Sequence, residues 1–529
     1  MTRKSGVRRA LFYGILTICI IRHRGGNKTV KTIIILMDSL NKRALDLYGG
    51  DWARTPNIDR LAQKCCVFDN HWVGSSPCMP ARHDLMTGRL DFLERNWAPM
   101  QPFDCSLPQV LKKHGIFSEI ITDHYHYFHL GGENYVPQFG SWEFIRGQEH
   151  DTMAPNIGPL EEKPHLGNFK PQYERNRACF NGEEDYPSPK TFSQAAKFLE
   201  KYHDEEFLLF VDTCDPHEPY DVPDGYERQY PDDYDGPQCN WPKYATGEEL
   251  PDDAKQHVRN LYAETVTMSD RWLGKFLDVM DKYDMWDDAA VFFIADHGTM
   301  VGEKNFFGKN YMPPYNETFE IPLMIHLPGM NEQTRCNALT QNIDLMPTIL
   351  ALYNIPESEV FNPMHGKNLI PLIKGEQEKV RDCVIYGLFG KHVSIFDGRY
   401  TYMRGPVSED NMPLYLYTAM PTTSNHWWDR DHVAEPAKME MGSFLKWTDY
   451  PVYRIPANLT VMADASHRFS PRPPYSEQTM LFDLSVDHDQ EHPIDDPALE
   501  KEMCAKLARE MRRYDSPDEQ FVRLGLEEF

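Results

Sequence analysis

The sequence predicts an α/β protein. A large mixed, mostly parallel β-sheet is sandwiched by helices, and a smaller C-terminal antiparallel sheet with a packed helix follows. Three observations predict it. A continuous β-branched run at 33–37, apolar runs at 207–211 and 290–294, and a strand-like segment at 116–121 recur along the chain, the pattern of strands buried in a parallel sheet. Segments of helical period lie between them. After Gly375 the spacing changes to short, closely set strands with a hairpin turn at Asp397-Gly398.

Composition bounds the function. The chain has 529 residues, 41% hydrophobic and 26% charged, with a formal net charge of -25. It is long enough for a large core. Its negative field disfavours nucleic acid and anionic membranes as partners. A small anionic substrate then needs a local cation cluster or a metal. The 11 cysteines are scattered and show neither paired C-x-x-C spacing nor a small-domain disulfide framework. A reducing, cytoplasmic setting is expected. One segment conflicts with it. Arg3, Lys4, Arg8 and Arg9 precede an apolar run within residues 8–21, too short to span a bilayer as a helix and without an A-x-A-like cleavage site. Three readings stay open: an extension, which is favoured, an uncleaved anchor, and an export signal. The expected organisation is an extension over 1–30, a main domain over 31–379 and a C-terminal subdomain over 380–529.

Taken in order, the strand at 33–37 ends in Asp38-Ser39. Open α/β sheets place ligands at such C-terminal strand ends, although a helix-capping Asp or Ser reads equally well there. Thr55 and Pro56 start a helix. Ser75-Ser76-Pro77-Cys78-Met79-Pro80-Ala81-Arg82 forms a C-x-P-x-R string, read as lying just ahead of a helix over 83–87 that Gly88 ends. Cys78 reads either as a thiol nucleophile or as a half-buried cysteine in a Pro-flanked turn. A helix over 107–114 precedes the second strand, which runs into Thr122-Asp123-His124-Tyr125-His126. Those rings hydrogen-bond an anion or form a surface aromatic turn. Residues 145–190 read as a long loop, with a helix over 191–202. The third strand leads to Pro216-His217-Glu218-Pro219, and the rigid placement of His217 favours a functional role.

An acidic loop over 221–253 precedes a long helix over 253–283. The fourth strand ends in Asp296-His297, and Gly308-Lys309 follows. A further strand over 321–327 and a helix over 344–353 complete the main domain. The C-terminal strands are expected at 383–386, 392–396, 400–403 and 480–484. A loop over 405–478 interrupts them, and Leu499, Met503, Leu507 and Met511 form one stripe of a closing helix.

Parallel pairing brings Asp38 and Asp296 together. Two carboxylates, an imidazole and a hard oxygen ligand suit Ca²⁺, Mg²⁺ or Mn²⁺. A thiolate suits such an ion poorly, which favours conversion of Cys78 to an oxygen ligand. Arg82, one helical turn on, favours a bound anion, and His217 and Lys309 add an acid and a cation. The set describes metal-assisted hydrolysis of an anionic ester.

These motifs, in this order, resemble the type I sulfatase family of the alkaline-phosphatase superfamily. They are the strand ending in Asp38, Thr55-Pro56-Asn57-Ile58-Asp59, the C-x-P-x-R string, Pro216-His217-Glu218-Pro219-Tyr220, Asp296-His297-Gly298 with Gly308-Lys309, and Leu481-Phe482-Asp483-Leu484. The nearest likeness is to bacterial arylsulfatases, choline-sulfatases and phosphonate-monoester hydrolases. The resemblance implies that a formylglycine-generating enzyme oxidises Cys78 to formylglycine (3-oxoalanine). One hydroxyl of its hydrate attacks sulfur, and the other then expels sulfate. It implies Asp38, Asp296, His297 and residue 78 as ligands of one divalent cation, Ca²⁺ first and Mg²⁺ or Mn²⁺ as alternatives. It implies Arg82 fixing the modified side chain, His217 protonating the leaving alcohol and Lys309 holding the sulfate of a small-molecule or carbohydrate ester.

Two positions depart from the family pattern. Ser39 replaces a second acid, contributing a hydroxyl or nothing. The Thr122–His126 segment replaces a Gly-Lys-Trp-His string, so His124 and His126 are the candidate substrate contacts. This leaves phosphonate-monoester or phosphodiester hydrolysis as an alternative. Binding of a sulfated ligand without catalysis is the alternative if Cys78 stays unconverted.

Overall fold

The computed structural model describes residues 30–224, 226, 228–421, 439–457 and 478–529. The apolar run of residues 8–21 and Trp427-Trp428 lie outside the described residues. Among the described residues no helix is long and apolar enough to cross a membrane.

An eight-stranded sheet forms the centre. Its strands are β1 (Lys31–Met37), β2 (Cys66–Phe68), β3 (Phe117–Thr122), β4 (Ser141–Phe144), β5 (Phe207–Thr213), β6 (Ala289–Ala295), β7 (Leu323–His326) and β8 (Thr334–Cys336). The order is β8-β2-β7-β6-β1-β5-β3-β4, and only β7 runs against its neighbours. The four runs read from the sequence are β1, β3, β5 and β6, the middle of this sheet. All residues of β1, β5 and β6 are buried, as unbroken apolar runs require. The short β2, β4 and β8 were not expected; three or four residues carry too little period to read.

The helices form two packed groups. One comprises α1 (Pro56–Ala62), α4 (Pro187–Tyr202) and α5 (Asp252–Lys282); the other comprises α2 (Cys78–Thr87), α3 (Leu107–Lys113) and α6 (Leu345–Leu352). Three expectations need correction. The C-x-P-x-R string does not precede a helix: it is the first turn of α2. All ten α2 residues are buried, so no polar face marks the helix in the sequence. Thr55 makes no side-chain cap on α1; Asp270 of α5 accepts from the Asn57 and Ile58 amides instead, at 3.1 and 2.7 Å. The expected loop over 145–190 contains a helix at Pro171–Arg177, and α4 begins at Pro187.

Beyond residue 380, β9 (Val384–Gly387), β10 (Val393–Phe396), β11 (Tyr400–Arg404) and β12 (Met480–Asp483) form an antiparallel sheet. The helix α7 (Pro497–Arg513) buries Met503, Leu507 and Met511 of the expected stripe, and Leu499 packs against them half-buried. Of the segment expected as a loop over 405–478, residues 422–438 and 458–477 lie outside the described residues, and the described part holds a three-stranded antiparallel sheet of Tyr415–Thr418, Val452–Pro456 and Glu440–Gly442. Its strands of three to five residues alternate too briefly to be recognised. The C-terminal sheet also steadies the turn before α2. The Gly387 amide donates to the Gly74 carbonyl, and the Ser76 amide donates to the Gly387 carbonyl, each at 3.0 Å.

Candidate active site

Strand register builds the site. Met37 of β1 pairs with Ala295 of β6, so the next residues, Asp38 and Asp296, emerge level with each other. On the other side of β1, Leu36 pairs with Asp212 of β5. Three carboxylates therefore meet at one sheet edge, all at 2% exposure or less. Burying them requires a cation, and Arg82 of α2 supplies one. Its Nη1 lies 3.1 Å from Asp38 Oδ2 and 2.5 Å from Asp296 Oδ2, while Nη2 and Nε reach Asp212 at 2.7 and 3.3 Å. This planar fork is a geometry lysine cannot reproduce.

The same helix brings Cys78 to this point. Its Sγ is 3.2 Å from His297 Nε2 and 4.0 Å from Asp38 Oδ1. The His297 ring is oriented by a contact of 2.9 Å between Nδ1 and the Gly298 carbonyl. Only glycine fits at 298, since a Cβ there would lie 1.9 Å from the Glu317 carbonyl oxygen. Gly88 closes α2 in the left-handed region at φ 68°, as expected.

The loop after β1 is tied to the long helix: Tyr262 of α5 accepts from the Asn41 amide at 2.8 Å and donates to the Ser39 carbonyl at 2.9 Å. Ser39 stands at φ 63°. Its hydroxyl donates to Asp38 Oδ1 at 2.7 Å and accepts from Lys309 Nζ at 2.8 Å. Its amide donates to Asp296 Oδ1 at 3.0 Å. The Ser39 hydroxyl thus ties Lys309 to Asp38.

Across the pocket, His217 Nδ1 lies 2.6 Å from the Glu218 carbonyl, 3.3 Å from the Glu218 carboxylate and 3.9 Å from Glu149. His126 Nε2 is 3.4 Å from the same Glu149 oxygen. His124 is fully buried, with Nδ1 3.6 Å from Asp38 Oδ2. It is therefore no surface turn.

The electrostatics follow. Burial alone would raise the Asp38 carboxyl, but Lys309 and Arg82 hold it well below the usual carboxylate range. Burial and the Asp38 charge push Asp296 up to about 7. Burial, reinforced by Asp38, raises the Cys78 thiol well above its ordinary value, so the unmodified thiol is a poor nucleophile here. Burial, then Lys309, keeps His297 neutral, as a metal ligand must be. Burial, then Arg82, does the same to His124.

Asp38, Asp296, His297 and Cys78 offer ligand atoms that all lie within 4.8 Å of one another. Two carboxylates beside a neutral imidazole fit a hard divalent cation. The candidate site residues read from the sequence thus gather around one end of the central sheet. Sequence reasoning missed Asp212, which the strand-end rule that found Asp38 and Asp296 would have found. It also missed Glu149 and Cys214, which no periodic signal marks.

The motif order, the sheet and this pocket define a hydrolase of anionic esters. A sulfatase family model matches residues 31–355, and a second, described as N-sulphoglucosamine sulphohydrolase, C-terminal, matches residues 302–442. The chain belongs to the sulfatase family of the alkaline-phosphatase superfamily and is a sulfuric ester hydrolase. It is 24% identical over 414 residues to a choline-sulfatase of Rhizobium meliloti, covering 70% of this chain and 77% of that one. It is 24% identical over 423 residues to an ulvan-active sulfatase of Formosa agariphila, covering 76% and 75%. In fold it is similar to the phosphonate monoester hydrolase of Agrobacterium radiobacter, with a TM-score of 0.65 at 16% identity over 92% of this chain and 96% of that one.

Proposed function

We propose that the protein hydrolyses a sulfate monoester of a small organic or carbohydrate alcohol through residue 78, oxidised from cysteine to formylglycine by a separate converting enzyme. In this reading Asp38, Asp296, His297 and residue 78 hold one divalent cation, Ca²⁺ by the hardness of its donors. The carrying observation is the register that sets Asp38 and Asp296 level beside Cys78, with Arg82 between the carboxylates. Bound there, the cation supplies positive charge that favours an ionised nucleophile and the charge developing on the ester.

The chain's own residues do the rest. Arg82 is a positioning residue: its guanidinium holds three carboxylates and also reaches the Cys78 carbonyl at 3.4 Å. Lys309 keeps its ammonium at the pocket floor, fixed by Ser39, to meet the sulfonate oxygens. His217 donates Nδ1–H to the Glu218 carbonyl, which leaves Nε2 to give a proton to the leaving alcohol as the sulfur–oxygen bond breaks. The Glu218 and Glu149 carboxylates lie 3.3 and 3.9 Å from Nδ1 and hold the ring in place. Water replaces the alcohol overall, giving alcohol, sulfate and one proton. His124 and His126 form the wall nearest the substrate anion.

Lys309 faces the substrate while His124 is neutral, a balance that suits a singly charged ester. A phosphonate monoester or a phosphodiester carries the same charge and is the second reading. Turnover of nitrophenyl sulfate against a phenylphosphonate monoester decides between them. A preference for the sulfate is expected; a preference of orders of magnitude for the phosphonate sinks the first reading. Mass spectrometry of the residue-78 peptide from the native host tests the nucleophile. An unconverted cysteine there would leave only ligand binding.

A further inference from the structure

Beside the Asp38 centre lies a cluster that the hydrolytic residues leave unexplained. One ring nitrogen of His124, a carboxylate oxygen of Glu149 and the Sγ of Cys214 all lie within 4.8 Å of one another, and all three residues are buried. Cys214 Sγ is 3.7 Å from Glu149 Oε1, and His126 Nε2 is 3.4 Å from that same oxygen. His124 has no exposure, and neither of its ring nitrogens has a hydrogen-bond partner. A buried imidazole in this state carries its desolvation cost uncompensated. Backbone held against preference often accompanies function, and Glu149 sits at φ 43°.

We propose that His124, Glu149 and Cys214 form a second cation site, selective for Zn²⁺, with His126 as the fourth ligand. The donor types decide the metal. Imidazole nitrogen, thiolate sulfur and one carboxylate are a set for a borderline ion, whereas the neighbouring Asp38–Asp296 set is one for a hard ion. Distances agree. Tetrahedral zinc with bonds of about 2.0–2.3 Å separates its ligand atoms by about 3.3–3.8 Å. The contacts of 3.7 and 3.4 Å already lie in that range; within the His124–Glu149–Cys214 group no separation exceeds 4.8 Å, so none needs to close by more than about 1 Å, and His126, outside that group, has further to move. Zinc binding releases the Cys214 thiol proton to solvent. The ion offsets the Glu149 charge and sets a fixed positive charge in the pocket wall. Binding stands on this geometry alone. A role for that charge opposite the ester anion rests on the hydrolase reading, and His124 and His126 then meet the substrate through the ion.

Cobalt substitution tests the site. A Cys78→Ser protein removes the other thiol near a cation. Titrated with Co²⁺, it is expected to show a near-ultraviolet thiolate-to-cobalt charge-transfer band that one equivalent of Zn²⁺ bleaches and excess Ca²⁺ does not. Adding Cys214→Ser should abolish the band. Adding His124→Gln instead should weaken Zn²⁺ binding by about 100-fold, and it serves as the second variant if the Cys214→Ser protein does not fold by circular dichroism. The absence of a band in Cys78→Ser protein, or its survival in folded Cys214→Ser protein, overturns the proposal. Unchanged Zn²⁺ affinity in the His124→Gln variant does the same. The readout is optical, so a protein that binds zinc here but hydrolyses no ester refutes the hydrolase reading alone.

Discussion

The two sides of the pocket are built differently. On the Asp38 side the side chains come from strand ends and from the first turn of a buried helix, and opposite charges meet: Arg82 lies against Asp38, Asp212 and Asp296, and Lys309 lies beside Asp38. On the Glu149 side they come from loops, imidazoles and a thiol surround one carboxylate, and His124 has no hydrogen-bond partner. The difference teaches that the first side is fixed by the fold itself, while the second depends on what binds it. Substitutions on the Asp38 side should therefore cost both chemistry and stability, and those on the Glu149 side mainly binding.

The largest effect falls on Cys78. Cys78→Ala removes the attacking group in every form, and kcat should fall on the order of 10⁴-fold or more, read in steady-state assays of protein coexpressed with the converting enzyme. Residual turnover within tenfold of wild type would show that residue 78 is not the nucleophile. Arg82→Met comes next. It leaves Asp212 and Asp296 without the guanidinium and Asp38 with Lys309 alone, and should cost about 3–5 kcal/mol of unfolding free energy in denaturant titrations. A cost below 1 kcal/mol would show that the carboxylates are held by something else.

This contrast also explains what was legible. Asp38 and Asp296 could be found because an unbroken apolar run followed by a carboxylate is a readable signal, and parallel pairing joins strand ends some 260 residues apart. Cys78 could be singled out by its string, but its helix could not: burial on every side erases the amphipathic period. Glu149 was hidden because its position depends on the path of a loop, which no periodicity encodes. The same applies to the three-stranded sheet around Val452–Pro456, whose strands are shorter than the window that reveals alternation.

His217 bridges the two sides, and its loss should depend on the substrate. His217→Ala should lower kcat about 10²–10³-fold for an alkyl sulfate, whose alkoxide needs a proton, and much less for nitrophenyl sulfate. Equal losses on both substrates would remove His217 as the acid.

Two of the buried carboxylates, Asp296 and Glu149, should also titrate in opposite senses in chelator-treated protein. Asp296, raised from 3.8 to about 7 by burial and Asp38, contributes stability that is full below its unfolded value and is lost as pH rises through about 7. Glu149 behaves oppositely: burial alone would raise it, but His217 and His126 outweigh burial and hold it well below 4.5. Its contribution is present above 4.5 and is lost as pH falls through its lowered folded value. Each proton gives a slope of at most about 1.4 kcal/mol per pH unit. Asp296→Asn should flatten the neutral limb of a stability–pH curve and Glu149→Gln the acid limb. The same limb flattening in both variants would erase the distinction.

Ser39 carries the smallest effect and separates backbone from side chain. Its hydroxyl joins Lys309 to Asp38, while its backbone sits at φ 63°, where a Cβ costs about 1–2 kcal/mol. Ser39→Ala removes the hydroxyl and keeps the strain; Ser39→Gly removes both. Losing one charge-assisted hydrogen bond should raise KM for the sulfate ester about 5–10-fold in both variants. Stability should part them, with Ser39→Gly unfolding at the higher temperature because glycine adopts this conformation without penalty. Wild-type KM in both variants would mean that Asp38 alone, at 3.6 Å, suffices to place the Lys309 ammonium. The hydroxyl would then be a consequence of the turn rather than a part of the site.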